Sequence, residues 1–269
     1  MDVDALMDTQ RAFDAVAPTY HRANVENPIL AAMRARVWQA VERYVPPGSH
    51  LLDLGCGPGT DEAHLAARGY RITAIDLSPA MVREARQRVR ARGLDALVRV
   101  EPLGIHDVDR LAPAEFDAAW SNLGALNSVT DLDEAASAIG RRLRPGGMLI
   151  ASVVGRVCPW EIALYAWRRD WRRIRVRYGR TATAVPLDGG RIWTQYYSPA
   201  AFERTFAGSG FRCVERRALG LFAPPPYMQA FAERHPRLIE RLQRLDGAVG
   251  AWPGLRAWGD HFLVVMRKV

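Results

Sequence analysis

Leu51-Leu52-Asp53-Leu54-Gly55-Cys56-Gly57-Pro58-Gly59 decides the reading of this chain. A short, mostly apolar strand runs into a turn with glycine at 55, 57 and 59. A helix-like segment follows, then a second apolar strand, Ile72-Thr73-Ala74-Ile75, which ends in Asp76. Glycine lets the backbone turn sharply and lets a ligand lie against bare main chain. A carboxylate at the tip of the following strand can accept both hydroxyls of a ribose. The pattern reads as a nucleoside-cofactor site at the carboxyl edge of a parallel sheet.

The spacing separates cofactors. A dinucleotide turn is G-x-G-x-x-G/A, whose last small residue permits close helix–strand packing. Here the order is G-x-G-x-G, and Thr60 stands where that small residue would fall. Asp53, two residues before the first glycine, would repel a pyrophosphate but can orient an ammonium, unless it only caps the loop. The cofactor that joins an amino acid to adenosine is S-adenosyl-L-methionine. On these residues the chain resembles the class I S-adenosylmethionine-dependent methyltransferases of small-molecule type.

Three further segments resemble the same family: Asp76-Leu77-Ser78-Pro79-Ala80-Met81, Phe116-Asp117-Ala118-Ala119-Trp120-Ser121-Asn122-Leu123-Gly124, and Leu143-Arg144-Pro145-Gly146-Gly147-Met148-Leu149-Ile150. The resemblance spans residues 46–155. It implies that Gly55 and Gly57 approach the methionine portion of the cofactor and that Asp76 holds the ribose. Leu77 and Met81 then pack near the adenine or in the core. Ile105, His106 and Asp107 stand in the loop that meets the adenine amine. Asn122 and Leu123 lie under the methionine arm, and Tyr20, in Phe13–His21, covers the cofactor or packs on the sheet.

Apolar periodicity gives the architecture. Helices are expected at 2–16, 28–44, 59–68, 79–92 and 131–143, and strands at 50–54, 71–76, 97–101, 116–121, 148–154, 211–218 and 262–268. The alternation predicts an α/β, Rossmann-like, doubly wound sheet. The resemblance adds its strand number, about seven, mostly parallel with an antiparallel strand at the C-terminal end, plus helical lid elements. A single methyltransferase domain over 1–269 is expected. It comprises an N-terminal helical lid (1–45), a cofactor-binding core (46–155), a substrate-lid insertion (156–200) and a C-terminal part completing the sheet (201–269).

Composition narrows the classes. Hydrophobic residues make up 49% of 269, which excludes a disordered chain. No apolar run approaches the roughly 18–20 residues that a membrane span requires. The acidic start, Met1-Asp2-Val3-Asp4, lacks the features of a secretory signal, and three scattered cysteines suit neither a disulfide framework nor a zinc site. A cytoplasmic setting without a metal is therefore expected. The formal charge is +8, and among 37 basic residues only Lys268 is lysine. Such a surface is either simply solvated or attractive to nucleic acid, anionic membranes or acidic substrates.

The 156–200 insertion interleaves Trp160, Tyr165, Trp167, Trp171, Tyr178, Trp193, Tyr196 and Tyr197 with Arg168, Arg169, Arg172, Arg173, Arg175, Arg177 and Arg180. Trp160, Trp167, Tyr196 and Tyr197 are candidate substrate contacts, stacking on flat rings while arginines neutralise an acid. The alternative is an amphipathic lid whose tryptophans face the sheet. The strand-like run 191–197 is a candidate pocket wall.

Methyl transfer is an in-line displacement that needs alignment and exclusion of water, and a base only when the acceptor must lose a proton. His106 is the candidate base, with Tyr196, Tyr197 and His21 as alternatives; His261 reads as structural. The expected partner is a small-molecule acceptor, aromatic or acidic. An RNA or protein methyltransferase docking through the insertion is the first alternative, although Ser121-Asn122-Leu123-Gly124 lacks a base-methylation motif. A silent cofactor-binding module is the second.

Overall fold

The computed structural model describes residues 3–20, 24–112, 115–179, 181–187 and 190–269. Two helices open the chain, α1 (Val3–Tyr20) and α2 (Pro28–Tyr44). The alternating core follows: β1 (His50–Leu54), α3 (Thr60–Ala66), β2 (Arg71–Asp76), α4 (Pro79–Ala91), β3 (Val98–Pro102), β4 (Phe116–Ser121), α5 (Leu132–Arg142) and β5 (Leu143–Val154). Next come α6 (Pro159–Trp167), α7 (Trp171–Val176) and a hairpin of β6 (Thr183–Leu187) and β7 (Gly190–Thr194). The chain closes with α8 (Pro199–Gly208), β8 (Phe211–Leu219), α9 (Gln229–Arg234), α10 (Pro236–Val249) and β9 (His261–Lys268).

Seven strands form one sheet in the order β3-β2-β1-β4-β5-β9-β8. The pairs from β3 to β5 are parallel, and β9 runs antiparallel to both β5 and β8. This is the doubly wound sheet expected from the alternation, with the antiparallel strand that the resemblance implied. Strand order reverses direction between β1 and β4, so the loops after them diverge and leave a crevice at the carboxyl edge.

Alternate residues of each strand supply two cores, one per face. Leu51, Ile72, Leu263 and Val265 pack with α2, α3 and α4 on one side. Leu52, Leu54, Phe262 and Val264 pack with α5, Phe202 and Phe206 on the other. Burial on both faces explains why β1 and β2 read as nearly continuous apolar runs. Helix starts follow local chemistry. Asn27 Oδ1 accepts from Ile29 NH (3.0 Å) and Leu30 NH (3.3 Å) before Pro28-led α2. Ser78 Oγ accepts from Met81 NH at 3.1 Å before Pro79-led α4.

Three elements differ from the sequence reading. Helix α1 continues to Tyr20 through Pro18, rather than ending at 16. Pairing of β5 with β4 begins at Leu143, with a register shift before Met148. The strand-like run 191–197 stops at Thr194 and pairs with β6 as a separate two-stranded sheet, packed on α1. There Trp193 NH donates to Thr9 Oγ1 at 3.2 Å.

Candidate active site

A cleft of about 310 Å³ opens at the reversal point of the sheet. That volume lies in the range of small-ligand sites. Its inner part is built by the turn after β1, the tip of β2, the loops after β3 and β4, and the end of α1. Its outer wall comes from α1 and from the β6–β7 hairpin.

The glycine turn and the Asp76 tip are tied together. Gly57 NH donates to Asp76 Oδ2 and Ser78 NH to Asp76 Oδ1, both at 2.8 Å. Gly55 and Gly57 have φ of 94° and 54°, the left-handed region that glycine adopts without strain. A Cβ at 55 would meet Ala125 Cβ at 2.4 Å, whereas one at 57 would meet nothing within 4 Å. Burial pushes the Asp76 carboxyl up to about 6, partly opposed by the two NH donors.

Beneath the turn lies a group of acids that sequence reading did not assemble. Asp53 and Glu62 are both buried there, and their carboxyls hydrogen-bond to each other. Burial raises both carboxyls: Asp53 well above its ordinary range, with Glu62 the next cause, and Glu62 to about 7. Asp61 is satisfied. Its Oδ1 accepts from Trp38 Nε1 (2.9 Å) and forms an ion pair with Arg34 (Nε at 3.0 Å), and its Oδ2 accepts from Asn122 Nδ2 (2.9 Å). Asn122 Oδ1 in turn accepts from Leu123 NH and Ser152 Oγ, both at 2.9 Å. This chain of bonds fixes the loop after β4, where Leu123 takes φ of 52°, a strained value for a leucine.

Among the residues expected from sequence, Tyr20, Gly55, Gly57, Asp76, Leu77, Met81, Ile105, His106, Asn122 and Leu123 line this cleft together. Tyr20 is half-buried beside Met81, and burial raises its phenol. The others stand elsewhere. Asp53 lies in the sheet under the turn, not on the cleft wall, because β1 places its side chain among the buried acids. Asp107 turns away to Arg110 Nη1 and His106 Nε2, each at 3.3 Å. Trp160 donates its Nε1 to Phe222 O at 2.6 Å, and Trp167 is exposed. Tyr196 lies under the Arg177 guanidinium (5.3 Å), and Tyr197 packs edge-on against Phe202 (5.9 Å). The reason is topological: after β5 the chain turns toward the β9–β8 side and returns to the cleft only with the β6–β7 hairpin. His21 and Arg180 lie outside the described residues.

Ile192 and Thr194, from the run 191–197 read as a candidate pocket wall, do line the cleft, and residues that sequence reading missed join them: Leu6 and Thr9 on α1, Arg34 on α2 and Leu187 on the hairpin. Arg34 did carry a signal. It occupies the buried stripe of α2 with Leu30, Met33, Val37 and Val41, where an unpaired charge is costly.

Cys56 is buried in the glycine turn, and burial raises its thiol well above its ordinary range. His261, the first residue of β9, sits at 2.9 Å from Asp260 Oδ2. Arg177 Nη2 reaches Asp260 Oδ1 at 2.6 Å, and its Nε and Nη2 clamp the Glu161 carboxylate at 2.6 and 2.7 Å. Cys158, Glu161 and Asp260 are close enough together for a metal, but here a guanidinium already neutralises both carboxylates.

The residues fit an S-adenosylmethionine-type ligand on this structure's own evidence. The open side of Gly57 leaves room beside the Asp76 carboxylate, which its two NH donors orient with lone pairs still free for a ligand's hydroxyls. Asp76 would hold the ribose, and Leu77, Met81 and Ile105 would flank the base.

Residues 52–151 match the family described as a methyltransferase domain. That stretch is a class I S-adenosylmethionine-dependent methyltransferase domain, whose cofactor is S-adenosyl-L-methionine. Malonyl-[acyl-carrier protein] O-methyltransferase of Enterobacter lignolyticus (strain SCF1) is 34% identical over 164 residues, covering 61% of this chain and 58% of the relative. Ubiquinone biosynthesis O-methyltransferase of Xylella fastidiosa (strain 9a5c) is 32% identical over 131 residues, covering 49% and 52%. The chain thus spans a little over half the length of either relative. Geranyl diphosphate C-methyltransferase from Streptomyces coelicolor A3(2), solved with Mg2+, geranyl-S-thiolodiphosphate and S-adenosyl-L-homocysteine, superposes with a TM-score of 0.57 at 17% identity, covering 87% of this chain and 76% of that one. At that identity the likeness is one of fold.

Proposed function

We propose that this protein transfers a methyl group from S-adenosylmethionine to an oxygen of a small, largely apolar acceptor. The observation that carries the reading is the continuity of one cleft. It runs from Asp76, Gly57 and Met81 to an outer chamber walled by Leu6, Phe13, Leu187 and Ile192, with Thr9 and Thr194 as its polar points. Both curated relatives are O-methyltransferases, which supports oxygen as the acceptor atom. The insertion's arginines stand outside this chamber, so the acidic-acceptor reading lacks a contact from them.

The cofactor, when bound, supplies a methyl group already activated on a sulfonium. The chain's own task is alignment and water exclusion. Asp76 accepts ribose hydroxyls through the lone pairs that Gly57 and Ser78 leave free. Arg34, on the cleft wall, is placed to receive a carboxylate. The α1 and hairpin walls shield the reacting end from water. For an alcohol or phenol acceptor His106 is the base, with Asp107 Oδ2 at 3.3 Å to orient its ring. A carboxylate acceptor needs no base.

The test is incubation of the purified protein with methyl-labelled cofactor and a pool of hydroxylated and carboxylated apolar metabolites. A labelled small product formed in step with S-adenosylhomocysteine is expected. Label appearing only in RNA or protein would overturn the small-molecule acceptor. Cofactor binding with no label transferred to any class would favour a silent module.

A further inference from the structure

Half of the eight tryptophans are exposed, and all four stand on one edge of the sheet. Trp167 is 81% exposed, Trp171 and Trp252 59% each, and Trp258 50%. Trp167 and Trp171 belong to α6 and α7, which leave the carboxyl end of β5. Trp252 and Trp258 belong to the turn that enters β9, whose first residue, His261, pairs with Val154 at that same end of β5. Main chain and side chain join the two segments: Gly259 NH donates to Val157 O at 2.8 Å, and Trp160 on α6 bonds Phe222 O, at the end of β8. The cleft opens on this edge as well, since Val154 contributes to its wall.

Charge on this face is one-sided. Arg168, Arg169, Arg172, Arg173 and Arg175 are exposed, while Asp170 is the sole acid between Ile162 and Gly179. Asp170 is occupied in capping α7 through Arg173 NH at 3.1 Å. Neither α6 nor α7 contains a buried residue. Yet both are anchored, because the buried Arg177 clamp ties α6 to Asp260 at the start of β9. Exposed indole on a fixed surface is costly in water, and here it is interleaved with arginines of which Arg173 is paired, with Asp170 at 3.5 Å. The combination matches the interfacial zone of a bilayer, where indole sits at the headgroup level and guanidinium meets lipid phosphate.

We propose that this tryptophan–arginine face docks the protein on an anionic lipid bilayer, with the cleft edge toward the membrane. The charge complementarity is with lipid phosphate and carboxylate. The indoles supply a term that simple attraction to a polyanion lacks. The docking does not depend on which acceptor the cleft takes.

The experiment is sedimentation of the whole chain with vesicles of phosphatidylcholine alone or mixed with phosphatidylglycerol, read alongside tryptophan emission. Binding to the anionic vesicles only, with a blue shift, is expected. The pair Trp167→Ser/Trp171→Ser should reduce the shift to what Trp252 and Trp258 give, and Arg168→Gln/Arg172→Gln should weaken partitioning by about tenfold or more, each arginine contributing substantially near an anionic surface. Arg90→Gln/Arg92→Gln, an equal charge loss on α4 and just beyond its end, should bind like the wild type. Circular dichroism checks that each variant is folded. Absence of vesicle binding, equal losses in the α4 variant, or binding to an RNA oligomer or an acidic protein in place of vesicles would each overturn the proposal.

Discussion

Asp76 and Gly57 are joined by a 2.8 Å hydrogen bond from the glycine main chain to Oδ2, so the cofactor turn and the acidic strand tip form one rigid unit. Because Ser78 NH holds the other oxygen at 2.8 Å, the carboxylate is oriented before any ligand arrives. Asp76→Ala is expected to weaken S-adenosylmethionine binding by about 1–3 kcal/mol, the scale of lost charge-assisted hydrogen bonds. Titration calorimetry measures this, and wild-type affinity in the variant would remove Asp76 from the ribose role.

The buried acids make free-protein stability depend on pH. Burial raises Glu62 to about 7 and Asp76 to about 6, while carboxyls in the unfolded chain titrate near ~4. The folded state therefore holds protons that the unfolded chain has released. The stability this gives is fully present below about pH 4 and is lost as pH rises through 6 and 7. Glu62→Gln should raise the melting temperature at pH 8 and leave it nearly unchanged at pH 4. A uniform shift at both pH values would show that Glu62 does not titrate in this window.

Arg34 meets Asp61 at 3.0 Å with both side chains largely buried. Arg34→Met leaves that carboxylate without its counter-charge, and removing one partner of a buried pair costs about 3–5 kcal/mol. Denaturant unfolding should show a loss of this order, together with weaker cofactor binding. Loss of stability with unaltered binding would confine Arg34 to holding Asp61.

The Arg177 clamp carries a similar expectation on the far side of the cleft. Despite burial, which opposes its charge, Asp260 and Glu161 hold its guanidinium protonated. The pairing also keeps Asp260 well below the ordinary carboxylate range against its own burial. Arg177→Met should cost about 3–5 kcal/mol. In the wild type a chelator should leave the melting temperature unchanged. A chelator-induced fall would show that a metal occupies Cys158, Glu161 and Asp260.

Ile192 reaches the outer chamber from β7, remote in sequence from the glycine turn. Ile192→Ala should alter the acceptor KM or acceptor range and leave cofactor affinity intact. Equal loss of both would make the hairpin part of the cofactor site.

What the sequence determined by itself was the core: strand, glycine turn, acidic tip, and the alternation that yields a parallel sheet. These features are local. A G-x-G-x-G turn needs positive φ wherever it occurs, and an apolar run buried on both faces reads the same in any parallel sheet. Ten of the expected cofactor residues met in one cleft for that reason. Only the tertiary structure decided the acceptor side. Trp167 and Tyr196 belong to an aromatic, arginine-rich insertion, but aromatic content does not say which way a helix turns after β5. The α6–α7 pair went outward, held by Arg177, whereas Ile192, from the expected wall at 191–197, faces the cleft together with Leu6, an ordinary apolar residue some 186 positions away. The acids Asp53 and Glu62 could likewise be recognised as partners only once the turn had folded α3 back over β1. Contacts of that length depend on packing between elements, and no spacing along the chain records them.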